Sequence, residues 1–85
     1  MDKSMKVKRS IEKYAPGLGA KIRQARKSDK RSVETLCGLA EVSRVYWYDI
    51  ENENIRDALP EETLRRIEKV LGVDLGVNFE EAIAS

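Results

Sequence analysis

The sequence has no histidine, a single cysteine, two prolines and one tryptophan among its 85 residues. Each scarcity removes a class of function. Cys37 has no second cysteine to pair with and no histidine to share a metal, so an intramolecular disulfide, a zinc finger and a haem site are all excluded. No metal or other cofactor is expected. No apolar run nears the roughly 20 residues of a membrane span, and the basic N-terminus lacks the apolar stretch of a signal peptide. A cytoplasmic protein is the expectation. Catalysis is not expected: there is no nucleophile beside a plausible base, no glycine-rich phosphate loop and no carboxylate pair in a chain large enough to enclose a pocket.

What is present is charge, unevenly spread. Residues 1–48 hold 12 lysines and arginines against 5 acids, a balance of +7, while residues 49–85 hold 4 against 10, a balance of −6. The first half suits a phosphate-bearing partner and the second half would avoid one. At 41% hydrophobic content the chain has material for one modest core, and a core this small often gains stability from a second subunit.

The apolar spacing predicts an all-α chain. Residues 1–16 form a basic N-terminal arm or a short helix: Val7, Ile11 and Tyr14 are spaced four and three apart among Lys3, Lys6, Lys8, Arg9 and Lys13, before the Pro16-Gly17 break. Leu18, Ile22 and Ala25 mark a helix ending near Ser28-Asp29. Ser32 is an N-cap for a second helix whose inward face is Leu36, Cys37 and Ala40, and Ser43 caps a third in which Trp47 and Ile50 face one way with Glu51 beside them. Pro60 takes a first helical position, Glu61 and Glu62 complement the positive helix end, Leu64, Ile67, Val70 and Leu71 form the stripe, and Gly72 terminates it. Beyond it, Leu75, Val77, Phe79 and Ile83 either close the core or form a dimer contact in a C-terminal extension, 77–85, where Asn78 caps a last short helix.

Residues 32–52, SVETLCGLAEVSRVYWYDIEN, resemble the Cro/repressor (XRE) helix-turn-helix family. The polar cap falls on Ser32, the Leu-Ala pair on Leu36-Cys37, the turn on Glu41, the Val-Ser step on Val42-Ser43 and the closing Ile-Glu on Ile50-Glu51. The segment from Leu59 to Leu75 resembles the family's Pro-initiated fourth helix and its Leu-Gly-Val ending, so the likeness is continuous from Leu18 to Leu75. Three positions depart from the pattern: Glu41 stands where the turn often has glycine, Val33 where glutamine is frequent, and Lys30-Arg31 where Gly-Leu is usual. A left-handed backbone at Glu41 would carry roughly 1–3 kcal/mol of strain.

The resemblance implies a compact five-helix, lambda-repressor-like domain over residues 17–76 that binds double-stranded DNA and regulates transcription as a homodimer. It places base contacts on Arg44, Val45, Tyr48 and Asp49, at the start and outer face of the recognition helix. It places phosphate contacts on Lys27, Lys30, Arg31, Ser32 and Ser43. It also pairs Arg26 with Glu51 as a scaffold ion pair. A second reading keeps the same core as a protein-interaction module or antitoxin-like adaptor, for which a protein partner replaces most of the DNA contact.

Overall fold

The computed structural model describes residues 5–8, 12–56 and 58–77. In chain order these form strands β1 (Met5–Lys8) and β2 (Glu12–Ala15), helices α1 (Leu18–Ser28), α2 (Val33–Ala40) and α3 (Arg44–Glu51), a short strand β3 (Leu59–Pro60) and helix α4 (Glu61–Leu71). The architecture is mostly helical and carries a helix-turn-helix at α2–α3. Four helices lie within the described residues, one fewer than expected, and the short helix anticipated at Asn78 falls outside them.

Residues 5–8 and 12–15 are strands, which corrects the expected arm or short helix. β1 pairs antiparallel with β2, from Met5 opposite Ala15 to Lys8 opposite Glu12, and pairs parallel with β3 through Val7 opposite Leu59 and Lys8 opposite Pro60. The sheet order is therefore β2-β1-β3. The spacing of Val7, Ile11 and Tyr14 suited a helical stripe, but backbone pairing to a segment far along the chain decides the conformation. Val7 and Leu59 are both completely buried where β1 meets β3.

The helices begin and end where short polar side chains or left-handed residues satisfy their free backbone groups. Ser32 Oγ accepts from the Thr35 amide at 3.2 Å and Ser43 Oγ from the Tyr46 amide at 3.0 Å, each capping the helix that follows. Pro60 is the N-cap of α4 and not, as expected, its first helical residue, because its extended ψ of 139° keeps it in β3. Gly72, at φ 69°, ends α4 with its amide on the Glu68 carbonyl.

The core is a single cluster around Trp47, filled by Leu18 and Ile22 of α1, Leu36 of α2, Ile50 of α3, Leu64 and Ile67 of α4, and Val7 and Leu59 of the sheet. Leu75 and Val77 join this cluster and are buried, so within this chain they close the core and offer no surface for a dimer contact. The segment carrying them is tied back to α4: Glu68 Oε2 accepts from the Leu75 amide at 2.7 Å, and Arg65 Nη2 donates to the Val77 carbonyl at 2.8 Å. Phe79 and Ile83 lie outside the described residues. No helix of the described residues is long and apolar enough to cross a membrane.

Candidate nucleic-acid interface

The site is built on the turn between two eight-residue helices. α2 ends at Glu41, whose backbone is left-handed at φ 60° and ψ 40°, and the Val42 amide closes the turn on the Cys37 carbonyl at 3.1 Å. A non-glycine residue in this region costs about 1–2 kcal/mol. The cost is met because Val42 packs against the core, and the chain must reverse within two residues for Ser43 to cap α3. Cys37 is buried beneath this turn, and burial pushes its thiol pKa up, so it acts as a small apolar side chain.

With about 100° of rotation per residue, α3 separates into two faces. Trp47, Ile50 and Glu51 point inward, with Tyr46 half-buried against the core, while Arg44, Val45, Tyr48 and Asp49 share the outer arc. Val45 is the most open, at 73% exposure, Tyr48 is exposed at 38%, and Asp49 is half-buried at the arc's edge. Arg44 is exposed but engaged: its Nη1 donates to Glu34 Oε1, on the first turn of α2, at 3.0 Å. The Arg26 guanidinium carbon lies 5.6 Å from the centre of the Tyr48 ring, within cation–π range, so one face of that ring is covered by α1.

The inner face of α3 is locked to α1 by a carboxylate that takes three hydrogen bonds. Glu51 Oε2 accepts from Arg26 Nε at 2.5 Å and from the Trp47 indole N–H at 2.7 Å, and Oε1 accepts from Arg26 Nη2 at 3.0 Å. Arg23 Nε stands 3.5 Å from Oε1, and its Nη2 donates to Asn52 Oδ1 at 2.6 Å. The Glu51 side chain is only 1% exposed, so this is a charge taken out of water and fully partnered. Its hydrogen bond raises the already high Arg26 pKa further.

Three parts of this lock escaped the sequence reading: the indole N–H of Trp47, Arg23 and Gly19. A Cβ at Gly19 would lie 2.8 Å from the Ile50 carbonyl oxygen and nearer still to that of Glu51, so α1 reaches the end of α3 at a distance only glycine permits. The Leu18-Gly19-Ala20 run carried a weak signal of close approach. Arg23, one turn before Arg26, lay in plain view as a second cation for the same acid.

Among the phosphate-contact residues named from sequence, Lys27 and Lys30 are exposed at the end of α1 and in the following turn. Arg31 is exposed as well but its guanidinium is occupied: Nε and Nη2 donate to the two oxygens of Asp29 at 2.9 and 2.8 Å, and Nη2 also donates to the Val70 carbonyl at 2.7 Å. Arg31 thus joins the α1–α2 turn to the end of α4, and it holds the Asp29 carboxyl down to about 2. The Ser32 and Ser43 hydroxyls serve as caps, which leaves the first amides of α2 and α3 free to face an anion.

The geometry brings Arg44, Val45, Tyr48 and Asp49 onto one surface, while Lys27 stands in the last turn of α1 and Lys30 in the turn before α2. No curated protein and no solved structure matches the chain. A family profile described as a helix-turn-helix domain matches residues 17–81, well over half of its length. Capped helices joined by a left-handed turn, with an outward arc on the second and a buried lock behind it, accord with that match: the chain belongs to the helix-turn-helix domain family.

Proposed function

We propose that the protein is a Cro/repressor-type regulator of transcription that binds double-stranded DNA in a sequence-specific manner, as a homodimer, with α3 in the major groove. The observation that carries this reading is the outward arc of α3, with the cation Arg44 at its N-terminal end and an inner face locked to α1, so that the arc is a rigid ridge. In this reading Arg44 donates to guanine O6 and N7, Val45 meets a thymine methyl group, Asp49 accepts from cytosine N4 and Tyr48 lies against the groove wall. Lys27, Lys30 and the N-terminal amides of α2 and α3 hold phosphates, and Arg31 joins them only by leaving Asp29. Two copies related by a two-fold axis would address half-sites roughly 34 Å apart.

The test is the binding of random-sequence duplex DNA at two salt concentrations, with an Arg44→Ala variant in parallel. Expected are affinity that falls steeply with salt and a selected site whose preference relaxes at one base pair in the variant, worth about 1–3 kcal/mol of discrimination. Absence of binding at low salt would reject this reading. A specific observation favours a second one: the helix-turn-helix carries Glu34, Glu41 and Asp49 outside its core against a single cation, Arg44, which is itself paired with Glu34, as suits a module that binds a basic protein partner.

A further inference from the structure

We propose that Glu34 is a specificity-determining residue, which holds Arg44 until a guanine displaces it and so limits how strongly the right sequence is preferred; this rests on the assignment of α3 as the DNA-reading helix. Within residues 32–52 Arg44 is the sole lysine or arginine, against four acids. Glu51 is buried and neutralised by Arg26, so Glu34, Glu41 and Asp49 remain near the surface with one cation among them. Electrostatic attraction to phosphate, which dominates non-specific binding, is therefore weak across this helix pair.

The pairing geometry sets what it costs to use that one cation. Glu34 stands at the second position of α2, with its side chain 74% exposed, and takes one hydrogen bond from Arg44 Nη1 at 3.0 Å. An exposed pair of this kind is worth little and opens readily. Once Arg44 leaves, however, an unpaired carboxylate is stranded at the DNA surface. A guanine edge offers two acceptors in the plane of the guanidinium and repays the exchange, whereas the other bases do not. On non-cognate DNA Arg44 stays on Glu34 and contributes no net charge. Glu34 accordingly costs the right sequence more than the wrong one, because only the right one breaks the pair.

The experiment compares the wild-type protein with Glu34→Gln, Glu34→Asp and Asp74→Asn, on the site selected by the wild type and on random duplex, over a range of salt. Asp74 lies beside Lys21 and Gln24, on the flank of α1 opposite Arg23 and Arg26, and an asparagine keeps its bond to the Gly76 amide while removing the same charge. Expected for Glu34→Gln is a gain of roughly 3–10-fold on the selected site, a smaller gain on random duplex and a salt slope steeper by about one. Glu34→Asp should keep the wild-type ratio of the two affinities, and so should Asp74→Asn. An unchanged ratio in Glu34→Gln, or one matched by Asp74→Asn, overturns the proposal and leaves the DNA-reading assignment standing. Binding by Glu34→Gln where the wild type binds nothing supports it. Failure of both to bind any duplex overturns the assignment and the proposal together.

Discussion

Helix α3 carries an ion pair at each end, and the two could hardly differ more. At its C-terminal end Glu51 is buried, takes three hydrogen bonds and fixes α3 to α1. At its N-terminal end Arg44 makes one bond to Glu34, with both side chains more than half exposed. The first pair cannot open without stranding a charge in the protein interior; the second opens into water at small cost. One helix is thus anchored where it meets the scaffold and released where it would meet a ligand.

The anchored end gives the largest expected effect. Glu51→Gln leaves the Arg26 guanidinium facing a neutral amide and should destabilise the fold by about 3 kcal/mol, the lower end of the range for breaking a buried pair because Arg26 is partly exposed. Thermal denaturation would then shift down by roughly 12–24 °C. A shift under about 3 °C would mean that the lock adds little. Gly19→Ala strikes the same junction through shape: its methyl group meets the backbone of Ile50 and Glu51, and the expected loss is about 1–3 kcal/mol, read from urea midpoints. The released end gives the smallest effect. Arg44→Ala should change stability by no more than about 0.5 kcal/mol while altering DNA preference, and a larger loss of stability would make Arg44 part of the scaffold as well.

The helical body was legible because its signals are local. Ser32 and Ser43 announce helix starts within three residues of themselves, Gly72 announces an end, and the apolar spacing of Leu64, Ile67 and Val70 needs no distant information. The outer arc of α3 came with the resemblance to the helix-turn-helix pattern, which assigns those residues by position. The N-terminal strands were not legible, since the partner that makes β1 the central strand is Leu59-Pro60, and nothing in residues 5–8 names it. Nor was the occupation of Arg31, whose tie to the Val70 carbonyl depends on how the end of α4 packs beside the α1–α2 turn. At Glu41 the turn chemistry and the residue disagree, and the turn prevails: the backbone is left-handed although glycine is absent.

The parallel rung between Val7 and Leu59 has a kinetic consequence. Like the Lys8–Pro60 rung beside it, it joins residues fifty-two positions apart, whereas α1 to α3 assemble from neighbours along the chain. Contacts that close a long loop must first overcome its entropy, so the helix-turn-helix is placed to form early and the sheet to clasp it late. A late contact governs the rate of opening more than the rate of folding. The β1 strand lies outside the family-matched residues 17–81, yet it covers Leu59 in the core, so the lifetime of the folded domain is set in part by a segment the family signature does not include.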